Sequence, residues 1–312
     1  MLNPPRSAVL YGGLILHTVL SAGSYLCGKT ALREVPPLPL GLIRFLGASA
    51  LLLVLLHRVR PAGERMPPRS AWPRLALLAF TVVPIGQGFF LVGLARSTAA
   101  HAALLYSLTP LFVLLLAQAL LREFPGVRTT IGTLLALAGT LYVLTFRGLD
   151  LSRGPLQGDL LLLVAVIAWA LYTAEGRALI GTHGPIAVIA WTLIAGTAMY
   201  LPIGVASLAV PGTSERLRHV SPAGWFGVAY LVLVTSVAAY LLWYWALGHL
   251  PAARVAVFTN LQPLATAVLA HFFLHEHITP QFVAGALVVI SGVVLAQLRA
   301  PRTAAEVPPE PA

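Results

Sequence analysis

The residues able to do more than pack stand inside long apolar runs. Arg44 lies a few residues into the run 38–57, and His17 sits near the middle of 8–28. Gln87, Tyr106, Trp169, Tyr172, Tyr240, Trp243, Tyr244, Asn260 and Gln262 are spread over five further runs. Polar groups in such runs are costly to bury and are candidates for function by default. A guanidinium there can partner a substrate carboxylate or a gate. Aromatic faces with a few amides suit an amphipathic solute or an amino acid. Each also has a plain structural role open to it. Arg44 can snorkel to a helix end, the rings and amides can form interfacial belts or interhelical hydrogen bonds, and His17 can be a hydrogen-bonded packing residue.

Carboxylates are placed elsewhere. Glu34, Glu64, Asp150, Asp159, Glu215, Glu306 and Glu310 fall in loops, helix ends or the C-terminal tail, and Glu123 and Glu276 at matching helix ends. Glu175, two residues before Arg177, is near the end of a run. No carboxylate is therefore expected in mid-membrane as a proton carrier, and His17 is the group to titrate if protons are used. Lys29, Arg44 and Glu175 are the candidates for gating or charge pairing. His271, His275, Glu276 and His277 resemble a metal cluster, because histidines four apart share a helix face. Gln118, Arg122 and Phe124 hold the histidine positions in the first half, so neither a metal nor a cofactor is expected, and no catalytic set is assigned.

The elements that must carry these residues follow from composition. Of 312 residues, 58% are hydrophobic and 10% charged, and the mean hydropathy is +0.85. A soluble domain carries about 25% charged residues, so lipid is the solvent for most of this surface. Runs at 8–28, 38–57, 72–93, 99–121, 127–146, 157–178, 184–208, 222–247, 252–274 and 278–298 are each long enough to span a bilayer as a helix. They lack the polar–apolar alternation of spanning strands, and lipid leaves helices as the way to pair every backbone group. The net charge of +10 comes from single basic residues in short loops, which are topology signals rather than a nucleic-acid footprint. With a cytoplasmic N-terminus, twelve of them lie inside against seven outside, Arg44 being within a span. Both termini are therefore expected inside, with 300–312 a disordered cytoplasmic tail. The sole cysteine, Cys27, excludes an internal disulfide. The first run is too long for a cleaved signal.

The sequence also repeats itself. Shifted by 153 residues, Ala99–Leu134 lies over Ala252–Leu287 without a gap. Pro110/Pro263, Glu123/Glu276, Gly132/Gly285 and Gly139/Gly292 coincide, and Trp72/Trp225 falls on the same shift. At a shift of 147, Tyr25/Tyr172, Ala31/Ala178 and Leu32/Leu179 coincide. Two five-helix repeats, 1–147 and 148–299, follow. An odd helix number sets the second upside down relative to the first, the construction of many alternating-access transporters.

Lys29 closing the first helix, Pro39-Leu40-Gly41-Leu42-Ile43-Arg44 opening the second, and the twice-repeated Pro–Glu–Gly–Gly order resemble the EamA family of the drug/metabolite transporter superfamily, over nearly the whole chain. The resemblance implies ten helices, an inward N-terminus and passage of metabolites through a central cavity. That cavity would be walled by the first, third and fourth helices of each half. The Arg44 equivalent in the second half is Trp191, which confines any role of that arginine to one half.

The expectation is an all-α integral membrane protein of the inner (plasma) membrane, a secondary transporter exporting an amino acid or related amphipathic solute. Its partners would be that solute, the bilayer and, as an option for assembly, a second copy in a homodimer, but no nucleic acid. No phosphate-binding glycine loop is present to draw on ATP, and no repeated polar filter marks a channel. The alternative is a membrane-embedded enzyme acting on a lipid-linked substrate, which would need a cluster of acid–base groups at a membrane face.

Overall fold

The computed structural model describes residues 7–59, 66–97, 99–122, 124–146, 156–274 and 279–298, and those residues form helices and connections with no strand. The tail 300–312, Glu123, residues 275–278 and the side chain of His271 lie outside them. The first half comprises α1 (Ser7–Glu34), α2 (Pro37–Val59), α3 (Trp72–Phe80), α4 (Gly88–Arg96), α5 (Ala99–Tyr106), α6 (Thr109–Leu121) and α7 (Val127–Phe146). The second comprises α8 (Leu156–His183), α9 (Pro185–Leu208), the short α10 (Thr213–Arg218), α11 (Pro222–Ala229), α12 (Tyr240–Leu247), α13 (Ala252–Ala256), α14 (Gln262–Leu274) and α15 (Pro280–Gln297). Among the described residues, eight helical segments are long and apolar enough to cross a bilayer, and Val127–Val143 is a shorter apolar helix. The chain is an all-α membrane protein.

Two interruptions recur at equivalent positions. A π-helix at Thr81–Gln87 joins α3 to α4, and another at Tyr230–Ala239 joins α11 to α12. At the 153 shift residues 81–87 fall on 234–240, so the two segments overlap. Pro84 explains the first, since it has no N–H to give the α ladder. The second contains no proline. Likewise α5 breaks at Ser107–Leu108 before α6, and the 3-10 segment Val257–Leu261 separates α13 from α14.

The halves are inverted copies. Gly132 meets Gly292 and Ala296, while its equivalent Gly285 meets Val143 and Gly139. Partner numbers fall as residue numbers rise, so α7 and α15 run antiparallel, related by a two-fold axis between them. Their glycines let the backbones touch, as close-packed membrane helices require. The pair α2 and α9 behaves the same way: Leu38 and Gly41 meet Tyr200, and Ser49 meets Thr197.

The first helix of each half packs on the third of the other. Along α1, Ala31 and Cys27 meet Gly227, Gly23 meets Tyr230, His17 meets Ala239 and Gly13 meets Trp245. Along α8, Gly158 meets Arg96, Leu162 meets Gly93 and Ala168 meets Gly86. The halves are thus interlocked, and their central helices enclose one cavity.

Candidate functional site

The cavity lies where α1, α2, α5, α8, α14 and the two π-bearing helices converge. Its wall includes Arg44, His17, Gln87, Trp169, Tyr240 and Gln262. It holds about 460 Å³ including its mouth.

Arg44 is the chemical centre of this wall. Its side chain is 1% exposed, and its Nε donates to Ser236 Oγ at 2.7 Å. Its Cζ lies 5.0 Å from the Phe45 ring. Nη1 has no hydrogen-bond partner. The Tyr240 hydroxyl faces the same guanidinium without hydrogen-bond geometry. The hydroxyls of Tyr106, Tyr240 and Thr235 are also buried and unbonded. A buried polar atom left unpaired costs about 1–3 kcal/mol, and four of them gather on this one wall. Among the described residues no carboxylate pairs with Arg44. Glu34 accepts from the Ser221 amide and hydroxyl, Asp159 accepts from Ser97, and Glu215 pairs with His219.

Around the arginine the wall is aromatic and amide. Tyr25, Phe90 and Tyr106 pack edge to face at 5.5–6.2 Å, and Tyr25 Oη donates to Gln262 Oε1 at 3.0 Å. That bond ties α1 of one half to α14 of the other. Trp169 lies 5.0 Å from the Tyr240 ring. His17 Nδ1 bonds the Ala239 carbonyl at 2.9 Å, so that nitrogen carries the hydrogen and Nε2 accepts from Ser21 Oγ at 3.3 Å. Its ring rests 4.7 Å from that of Trp243. The Tyr25 contact is individually testable. Tyr25→Phe keeps the ring and loses the bond, so the melting temperature in detergent should fall by about 2 °C, for a hydrogen bond worth about 1 kcal/mol.

The sequence expectations divide here. His17, Arg44, Gln87, Tyr106, Trp169, Tyr240 and Gln262 are brought together. Tyr172 and Tyr244 stand outside the wall. Tyr172 Oη bonds Thr192 and Tyr244 Oη donates to the Tyr172 carbonyl, which makes them packing between α8, α9 and α12. Asn260 is fully buried in the 3-10 segment, its amide unpaired, away from the cavity. Lys29 donates to the Ser97 carbonyl, and Glu175 is half-buried outside the wall. Of the histidines weighed at 271–277, the His271 side chain and residues 275–277 lie outside the described residues. Sequence reasoning missed Ser21, Ser24, Tyr25, Phe90, Thr235 and Ser236. His17, Ser21, Ser24 and Tyr25 recur at helical spacing on one face of α1, a legible signal; Ser236 gave none.

The second half lacks a copy of this centre. Trp191, the Arg44 equivalent, packs at 5.6 Å on Trp72, and Val83 stands where repetition would put Ser236. One half supplies the arginine and the other its anchor, so the site requires both.

Comparison with known proteins agrees with this architecture. The model of the EamA-like transporter family matches twice, at residues 8–145 and 156–298. An uncharacterized transporter of Archaeoglobus fulgidus is 31% identical over 285 residues, 90% of this chain and 95% of the relative. The uncharacterized protein PA1977 of Pseudomonas aeruginosa is 31% identical over 96% of each chain. A crystal structure of 18% identity superposes with a TM-score of 0.73 over 93% of this chain and 96% of the other, a likeness of fold. The chain is a membrane transporter of two tandem repeats, and it belongs to the EamA-like transporter family.

Proposed function

We propose that the chain is a secondary transporter that moves a small solute bearing a carboxylate, an amino acid or a close relative, by alternating access. The observation that carries this is Arg44 Nη1, buried and unpaired on the wall of a cavity between inverted halves. A guanidinium is a planar set of donors matched to a carboxylate. Desolvated among aromatic rings it attracts an anion more strongly than it would in water. Gln87, Gln262 and the hydroxyls of Tyr106 and Tyr240 supply neutral hydrogen-bond partners for an amino or hydroxyl group, and Trp169 and Phe90 an apolar wall for a side chain. We assign both termini to the cytoplasm from the excess of basic residues on the inner loops, and we take the inner (plasma) membrane as the site and export as the direction to be tested.

Purified protein in liposomes, loaded with a panel of unlabelled amino acids, tests the reading by uptake of the labelled form. Exchange of at least one carboxylate-bearing solute is expected. Exchange restricted to cations or to solutes without a carboxylate would exclude it. Oriented vesicles then show whether outward flux exceeds inward.

A further inference from the structure

Repetition places a pair of cationic contacts toward the two ends of the helices that wall the cavity. Near the C-terminal end of α1, Lys29 Nζ donates to the Ser97 carbonyl at 2.5 Å, just beyond the end of α4. Near the C-terminal end of α8, Arg177 Nη1 donates to the carbonyls of Leu247, at 2.7 Å, and Leu250, just beyond α12. Ser97 and Leu250 are equivalent at the 153 shift. At the 147 shift that relates α1 to α8, Lys29 falls one residue from Arg177, at Gly176. In each half, then, a cation on the first helix is tied to the carbonyl at one position after the third.

These contacts lie at opposite faces. The end of α4 meets the start of α8, since Gly158 touches Arg96, whereas the end of α12 meets the end of α8, with Ile180 beside Gly248. The cavity residues stand between them, His17 to Tyr25 before Lys29 on α1 and Trp169 before Arg177 on α8. Both contacts are made in this structure.

We propose that Lys29 and Arg177 are the paired gates of the transport cycle, one per face, released alternately; this rests on the transporter reading above. A cation holding a backbone carbonyl at a helix end suits a gate, because the acceptor is fixed and the donor has a long flexible stem. Inversion makes the two contacts nearly equivalent, so a small bias decides which one opens. The faces are not identical. At the Lys29 end, Ser97 Oγ donates to Asp159 at 2.5 Å and Glu34 accepts from Ser221 at 2.5 and 2.7 Å, both joining one half to the other. At the Arg177 face the halves are joined by a longer bond, Thr129 Oγ1 to the Ala296 carbonyl at 3.3 Å.

Accessibility labelling tests the proposal. In a Cys27→Ser background, Ser21→Cys reports on the cavity wall, and a membrane-impermeant thiol reagent is applied to one face of oriented vesicles. Lys29→Gln should raise the labelling rate about 10-fold from the face where α1 ends, and Arg177→Gln by a similar factor from the opposite face, as expected when one charge-assisted hydrogen bond stops biasing two states. Lys29→Arg and Arg177→Lys, which keep a donor, should label nearly as the parent does. Labelling that rises from one and the same face in both variants, from both faces alike, or not at all would overturn the gates. The readout needs no solute. Opposite-face labelling without carboxylate exchange would refute the substrate reading alone, and exchange with unchanged labelling would refute the gates alone.

Discussion

Replacing Arg44 by glutamine should reduce exchange of a carboxylate solute about 100-fold while leaving the protein as stable as before, or more so. The two halves of this expectation have one cause. A buried guanidinium with Nη1 unpaired and no carboxylate among the described residues is a cost to the fold. Neutral side chains in place of buried charges often leave stability unchanged or raised. The same group is what the solute's carboxylate would lose, and a charged hydrogen-bonded pair broken in a dry site costs about 3 kcal/mol, or about 100-fold. Arg44→Lys keeps the charge but not the planar fork and should fall between, about 10-fold down. Thermal unfolding in detergent and exchange in liposomes, on the same preparations, check both halves. A variant that loses exchange and melts much lower would mean that Arg44 is structural.

The second large effect is expected where the halves cross. A Cβ on Gly292 would stand 2.6 Å from the Gly132 carbonyl oxygen and closer still to the Ala136 nitrogen, both backbone. A Cβ on Gly132 would meet the Gly292 carbonyl and the Ala296 nitrogen at 2.5 Å. Backbone has no rotamer to yield, so Gly292→Ala forces α7 and α15 apart. Overpacking of this kind costs about 3 kcal/mol, which lowers the melting temperature by roughly 6 °C or more. Gly12→Ala, with nothing within 4 Å of the new atom, should be neutral or slightly stabilising. Melting curves of both variants in one detergent decide it, and equal melting would contradict the close crossing.

Much of this architecture is legible in the residues. Hydropathy locates the helices because a bilayer leaves a backbone few alternatives, and the recurrence of Gly132 and Gly139 as Gly285 and Gly292 announces an inverted crossing. Arg44, His17 and Gln87 stand out because polar groups in such runs are expensive. Tyr172 and Tyr244 draw notice on the same grounds but stand outside this wall, since a tyrosine in a span also satisfies its hydroxyl on a neighbouring helix. Asn260 stands off the wall for another reason. Its 3-10 segment turns the backbone out of the phase of α14, so a face drawn on a regular helix misplaces it. The π-helices have the same effect on Thr235 and Ser236, and with no proline in the second, its residues do not declare it. Serine and threonine in spans commonly bond the carbonyl four residues back, as Thr18 does to Leu14, so the serine that anchors Arg44 looks like any other.

The central claim is that a solute's carboxylate meets Arg44 between the two halves. Competition within one matched pair tests it most directly. Uptake of a labelled amino acid that the wild-type protein exchanges is measured against increasing amounts of the unlabelled acid and of its primary amide, which keeps size and hydrogen bonding but not the negative charge. The acid should compete about 100-fold better than the amide in wild type, and the two should become nearly equal in Arg44→Gln. Equal competition in wild type, or an unchanged preference in Arg44→Gln, would contradict the account.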